Sequence, residues 1–319
     1  MLLVVNAGSS SVKLALFDGG EMRAAHNVAE LGVGGHQGAL AQGLHALGAP
    51  PITAAAHRVV HGGDGLTATQ EITPAIHAQI TAAVPLAPLH NPANLACIDA
   101  IARLHPDLLQ YAAFDTAFHA TIPREEYSYA IPADQGLRRY GFHGLSYASM
   151  VRRLHPNLPQ RLLGMHLGNG ASLCAILYGR SIATTMGHSP QDGLMMGTRA
   201  GAIDSAAVLT LARRHGIDGA EALLNRQSGL LALSGSNDMR AATAHARAMF
   251  THAVIRHAGA MVALMGGLDA IVFSGGIGEN DAPLRESVVA ALSFLGPFDT
   301  YILPAEEERQ IALDVAALT

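Results

Sequence analysis

The stretch Leu2–Phe17, LLVVNAGSSSVKLALF, decides the fold. Apolar Leu2–Asn6 reads as a buried strand, Ala7–Ser11 as a tight turn of small residues, and Val12–Phe17 as the returning strand. A related pattern returns at Leu163–Tyr178, LGMHLGNGASLCAILY: strand Leu163–Leu167, turn Gly168–Ser172 and strand Leu173–Tyr178. At an offset of 161, Ser11 falls on Ser172, Leu16 on Leu177 and Phe17 on Tyr178. The chain therefore reads as a duplicated architecture, with one glycine- or serine-rich hairpin in each domain. Further strands are expected at Ala54–Val60, Leu109–Phe114 and Ala270–Phe273. Helices are expected at Ala202–Arg214, Ala220–Asn225, Ala241–Met265, Pro283–Leu292 and Glu306–Ala317, with loops at Pro85–Asn94 and Ser274–Asn280. Strands alternating with helices give an α/β class.

The 319 residues exceed one comfortable core, so two domains are expected. Half the residues are apolar and 14% are charged, which excludes general disorder. A net charge of −5 without a long basic run argues against nucleic acid. Cys97 and Cys174 form no CxxC pair, so neither a disulfide framework nor a thiolate zinc site is expected. The apolar start is short and lacks a basic flank, and later apolar stretches read as too short or interrupted for a membrane span. The expected compartment is the cytoplasm. Seventeen histidines raise a zinc reading, but His57 and His61 sit on a strand pattern and no HExxH occurs.

Three Gly-rich segments each follow an expected strand: NAGSSSVK (Asn6–Lys13), HLGNGAS (His166–Ser172) and SGGIGEN (Ser274–Asn280). Small residues let backbone N–H groups approach anionic oxygens closely. None fits a P-loop or a GxGxxG fingerprint. Lys13 is the only lysine among 20 Lys and Arg residues, and a compact ammonium suits a tight phosphate site better than a planar guanidinium. Arg58 and Arg199 are odd choices for core positions, Asp115 ends a strand where a metal-linked carboxylate fits, and Glu306–Glu308 form an acidic run. The acidic run reads equally well as a solvated helix start. Among the histidines, His90, His143 and His166 stand in loops where they could contact phosphate or carboxylate.

Taken together, NAGSSSVK, HRVVHGG, LAPLHNP, FDTAFH, YGFHG, HLGNGAS, GLMMGTRAGAID, FSGGIGEN and PAEEERQIA resemble, in order, the acetate and propionate kinase family. That family sits in the superfamily of sugar kinases, actin and heat-shock chaperone ATPases. The resemblance implies a duplicated two-domain actin-like fold with a nucleotide cleft, ATP as co-substrate, Mg2+, and a homodimer without nucleic-acid or membrane partners. It implies a first domain of 1–117 plus 308–319 and a nucleotide-binding domain of 118–307. By position it assigns Asn6, Arg58, Asp115, His143 and Arg199 to catalysis, and Asn6, Asp115 and Glu307 to the metal. Arg58, Val60, Leu89, Phe142 and Pro190 would take the acid. Lys13, Ser9, Ser11, His166, Gly168, Asn169 and Gly170 would meet the phosphates of ATP, and Asp238, Met239, Arg240, Gly276, Ile277, Gly278 and Asn280 would surround its adenosine.

Departures are Ala171 before Ser172 in the second Gly-rich segment, PAEEE in place of PTNEE at Pro304–Glu308, and Ser205 in place of a proline. The chain is also shorter than its relatives, with trims between Phe17 and Ala54, after Arg240, between Leu295 and Tyr301, and at its end. Remaining alternatives are a kinase for propionate or butyrate, a pyrophosphate-dependent kinase, and a nucleotide-dependent sensor of the same fold without kinase activity.

Overall fold

The computed structural model describes residues 1–8, 11–29, 35–48 and 51–319. These divide into two compact units. The first comprises Met1–Ala120, Gly144–Ser149 and Glu306–Thr319; the second comprises Thr121–His143 and Met150–Ala305.

The first unit is built on a six-stranded sheet. Its strands are β1 (Leu2–Ala7), β2 (Ser11–Asp18), β3 (Glu21–Ala29), β4 (Ala54–Val59), β5 (Gln70–Glu71) and β6 (Leu109–Phe114), in the order β3-β2-β1-β4-β6-β5. The first three strands form an antiparallel meander, and β4 and β6 extend it in parallel with β1. Both faces of β1 are covered, which explains why its sequence is a continuous apolar run and not an alternation. Leu3, Val5 and Ala7 pack with Val12, Leu14 and Leu16 beneath helices His36–Ala46 and Asn91–Leu104. On the opposite face Val4, Ala15, Ala56 and Ala113 pack against Ile311, Ala312 and Val315 of the helix Glu307–Ala316.

The second unit repeats this plan. Its strands are β7 (Arg161–Leu167), β8 (Ala171–Leu177), β9 (Arg180–Thr184), β10 (Ala270–Ser274) and β11 (Asp299–Ile302), in the order β11-β10-β7-β8-β9. Again an antiparallel meander, here β7-β8-β9, is extended by two strands parallel to its first. The duplication is thus one of topology, and the fold is the two-domain actin-like ATPase fold. The single offset of 161 does not survive: Ala7 pairs with Val12 whereas Leu167 pairs with Ala171, so the second turn is one residue shorter.

Three other expectations change. Pro85–Asn94 is not a loop throughout, because Val84–Leu86 forms a single 3-10 turn and Asn91 opens the helix Asn91–Leu104. Ser274–Asn280 is not a loop, because Gly275–Asn280 forms a short helix. Gly275 takes φ +78°, which lets its backbone pass the Leu167 carbonyl, 2.7 Å from where a Cβ would stand. Ala244–Met265, read as too interrupted to span a membrane, is long and apolar enough to do so by length and composition. Its buried stripe of Ala246, Phe250, Val254, Ala258 and Met261 packs on β8, which accounts for that composition. The helix Ser205–Arg226 is broken at Gly216 (φ +73°), in keeping with two separate helical segments in the sequence.

His57 of β4 is fully buried, and its Nε2 donates to Gln110 Oε1 at 2.7 Å. Burial lowers its pKa from 6.5 to about 4, a drop that the Gln110 bond opposes only in part. The unfolded chain takes up this proton below pH 6.5 and the folded chain does not until about 4. Stability is therefore lost as pH falls across that window, by up to about 3 kcal/mol. Urea unfolding at pH 7.5 and 4.5 checks this: His57→Asn is expected to lower stability at both values and to flatten the loss between them.

Candidate active site

Strand alternation assembles the first cluster. Because β1, β4 and β6 run parallel in register, Leu2, Val4 and Asn6 share a sheet face with Ala54, Ala56 and Arg58 and with Tyr111, Ala113 and Asp115. The last member of each series is polar and lies at the C-terminal edge of the sheet. Arg58 donates from Nε to Asp115 Oδ1 at 2.9 Å, from Nη2 to Asp115 Oδ2, and from Nη1 to Asn6 Oδ1 at 3.1 Å. Glu307 stands 3.7 Å from Arg58 Nε, and Asn6 Nδ2 donates to Glu308 Oε1 at 2.7 Å. The start of the Glu307–Ala316 helix thus brings the acidic run onto this edge.

Charge here is unbalanced, with three carboxylates around one guanidinium. Burial, opposed by Arg58 and reinforced by Glu307, leaves the Asp115 carboxyl raised to about 6. Burial alone would lower Arg58, but Asp115, then Glu307 and Glu308, hold it above its ordinary value. A surplus of hard oxygen donors of this kind suits a magnesium ion, which is held by one or two carboxylates together with substrate phosphates and water. Among the described residues no group of three or more His, Cys, Asp or Glu side chains forms a closed metal cage.

Two asparagines brace this edge. Asn94 donates to the Ala7 carbonyl at 2.8 Å and accepts from Val60 N–H at 3.2 Å. Asn91 bonds both the N–H and the carbonyl of His61, at 3.1 and 2.9 Å. The Pro85–Asn94 stretch is thereby tied to the end of β4, which brings buried Val60 to the segment carrying exposed Leu89 and half-buried His90. Lys13 is exposed and directly opposite Asn6 across the β1–β2 pair, so both share one face. Ser11 opens β2, and its carbonyl accepts from Gly8 N–H at 2.8 Å. Ser9 lies outside the described residues.

The second unit carries a separate cluster. His143 holds a left-handed backbone (φ 59°), stacks on His166 with ring centroids 4.1 Å apart, and places Nδ1 2.9 Å from Ser172 Oγ. Its Nε2 lies 3.3 Å, and Arg199 Nη1 3.8 Å, from where a Cβ on Gly170 would stand. Only a glycine leaves this space open. Gly168, Asn169 and Gly170 form the β7–β8 turn, and Gly276 N lies beside Gly168 because β10 pairs with β7. Phe142 is buried next to His143 in sequence, and the Pro190 carbonyl accepts from Arg199 Nη1 at 3.0 Å.

Arg199 differs from Arg58 in its partners. It bonds a carbonyl and approaches Met196 Sδ, and among the described residues no carboxylate pairs with it. Burial lowers its pKa, yet a guanidinium stays charged. Its loop is held by the segment after the Ser205–Arg226 helix. Leu230 N–H donates to the Met196 carbonyl and Ser228 N–H to the Thr198 carbonyl. Elsewhere in this unit Arg247 ties together two expected nucleotide segments, pairing with Asp281 and donating to the Met239 carbonyl at 2.9 Å. Met239 is buried, whereas Arg240 is exposed and pairs with Asp238, holding that carboxyl down to about 2. Asn280 Nδ2 donates to the Gly276 carbonyl, which ties Gly276–Asn280, including Ile277 and Gly278, into one turn of helix.

Sequence reading placed Glu308 in an acidic run and Ser172 in a Gly-rich segment without their contacts to Asn6 and His143, and it missed Asn94, Gly229 and Arg247. Each acts through a partner distant in sequence, and a lone polar residue or glycine gives no local signal of that.

The model of the acetokinase family matches residues 26–310. An acetate kinase of Rhodopseudomonas palustris is 41% identical over 346 residues, covering 93% of this chain and 87% of the relative. One from Deinococcus radiodurans is 40% identical and covers 98% and 89%. Among solved structures, Porphyromonas gingivalis acetate kinase matches with a TM-score of 0.91 at 34% identity, covering 99% of each chain. A propionate kinase from Francisella tularensis matches at 0.90 and 32%, covering 98% of each.

Gly229 has φ +64°, and a Cβ there would stand 2.1 Å from the Met196 carbonyl oxygen and 2.7 Å from that of Arg199. Gly229→Ala is expected to lower stability by about 1–3 kcal/mol in urea unfolding, because backbone must move and the left-handed conformation is strained.

Proposed function

This chain belongs to the acetokinase family, a family of phosphotransferases acting on a carboxyl group, and on that footing we propose that it reversibly transfers the γ-phosphoryl group of ATP to acetate. The observation that carries this reading is Arg199, a partly buried cation without a carboxylate partner among the described residues, beside the glycine turn that His143 also faces. A desolvated charge left unpaired by its own protein is costly, and an incoming anion would satisfy it.

Acetate is ionised at neutral pH, so no general base is needed. A carboxylate oxygen attacks the γ-phosphorus while the bond to the β,γ-bridging oxygen breaks, and ADP leaves with the electron pair. The barrier lies in bringing two anions together, which is overcome by fixed positive charge and by in-line positioning. In this reading Arg199 neutralises the transferred group and His143 donates an N–H to it. Lys13, Ser9, Ser11, His166 and the N–H groups of Gly168–Gly170 hold phosphate oxygens. Arg58, held rigid by Asp115 and Asn6, faces the acid's carboxylate, and Val60, Leu89, Phe142 and Pro190 accept its methyl group. Asn6, Asp115 and Glu307 would hold Mg2+, which when bound neutralises phosphate charge. Asp238–Arg240 and Gly276–Asn280 would accept adenosine. The reading includes a cytoplasmic homodimer, supported by the family resemblance.

Similarity to both acetate and propionate kinases keeps the longer acid in play, since one methylene is worth only ~1–3 kcal/mol in an apolar pocket. Hydroxylamine trapping of the acyl phosphate tests the whole reading, with acetate, propionate and butyrate supplied alongside ATP or pyrophosphate. Product is expected with ATP, and acetate is expected to give the highest kcat/KM. Tight ATP binding without product would favour a sensor. Arg199→Ala is expected to lower kcat by about 10²–10³ while ATP affinity changes little; an unchanged rate would remove its role.

A further inference from the structure

Resting on the reading above, we infer that Ser172 is a positioning residue that fixes the tautomer of His143. The imidazole is held on three sides. His166 stacks on its face at 4.1 Å, Ser172 Oγ meets Nδ1 at 2.9 Å, and Nε2 points to the Gly170 turn, which Arg199 also approaches. Ser172 cannot drift from this position. It is fully buried in β8, directly opposite His166 in the β7–β8 register, so the two side chains leave the sheet on one face.

A neutral imidazole carries one proton, and the bond at one nitrogen decides what the other can do. Phosphoryl oxygens only accept hydrogen bonds. If they occupy the Gly170 turn, Nε2 must carry the proton, so Nδ1 must accept, and the Ser172 hydroxyl is the donor placed there. Arg199 already supplies positive charge at this turn, and Ser172 lets His143 add a donor without adding a second charge. Ser172 thus leaves the phosphates to the turn's backbone and acts through the ring. The left-handed backbone at His143 is in keeping with a side chain whose direction is imposed by its surroundings.

The test is nitrogen NMR of the full chain labelled with ¹⁵N-histidine, with acetate and a non-hydrolysable ATP analogue present. His143 is assigned by its loss in His143→Gln. In the unsubstituted protein Nδ1 is expected to be unprotonated and Nε2 protonated. In Ser172→Ala a share of the ring is expected to switch to the Nδ1–H form, and kcat to fall about 10–100-fold with both KM values within twofold. Ser172→Thr, which keeps the hydroxyl, is expected to recover the tautomer and most of the rate. An Nδ1–H ring in the unsubstituted protein overturns the inference, even should Ser172→Ala fail to fold. So does a Ser172→Ala protein with unaltered tautomer and rate. Failure of the kinase reading itself would appear separately, as an unsubstituted chain that makes no acyl phosphate.

Discussion

Alternation along three parallel strands carries Asn6, Arg58 and Asp115 to one edge of one sheet face, and the ion pair formed there organises the first unit's polar edge. Arg58 is fixed from both sides of its guanidinium, and the Glu307–Ala316 helix closes over it with two further carboxylates. That arrangement is costly to desolvate, and removing one partner from a buried pair typically costs about 3–5 kcal/mol. Its surplus of negative charge is the feature that makes it more than a structural pair. A guanidinium with one carboxylate would be balanced, whereas here Asp115, Glu307 and Glu308 all act on one guanidinium.

The second unit solves a complementary problem with the same strand plan. Here the edge of the sheet is a three-residue glycine turn, and the groups that converge on it are a cation and an imidazole. Arg199 is not tied to an acid, and its direction is set by the Pro190 carbonyl and by a loop that the Ser228–Leu230 segment clamps from behind. Two arginines in one chain thus serve opposite ends. One is locked into an acidic frame, and the other has no carboxylate partner among the described residues. The two sheets share one strand plan, and the groups gathered at their edges differ: strand-end side chains in the first unit, and a loop arginine with a helix-capping histidine in the second.

How much of this could be read from sequence follows from range. Strands such as Leu109–Phe114 were legible because a short apolar run has few other uses; Arg58 stood out inside such a run, Asp115 at the end of one, and Arg199 in a Gly-rich segment. The pairing of Arg58 with Asp115 was not legible, since it depends on the β4–β6 register across 57 residues of separation. Gly275–Asn280 reads as a loop by composition, and only the close passage of Gly275 over Leu167 permits a helix start there. Ala244–Met265 was legible as a helix, and its apolar character reflects packing on β8. The roles of Asn94, Ser172 and Gly229 reside wholly in tertiary contacts. In each case a residue of ordinary appearance fixes the backbone or ring of one that looks functional.

The contrast between the two arginines can be tested in a single thermal-melt series with and without acetyl phosphate, comparing the unsubstituted chain with Arg58→Gln and Arg199→Gln. Arg58→Gln should melt several degrees lower without ligand, because Asp115 loses its partner. Arg199→Gln should melt at or above the original temperature without ligand and lose the upward shift that acetyl phosphate produces. An Arg199→Gln protein that melts as low as Arg58→Gln, yet keeps the full ligand shift, would contradict the account.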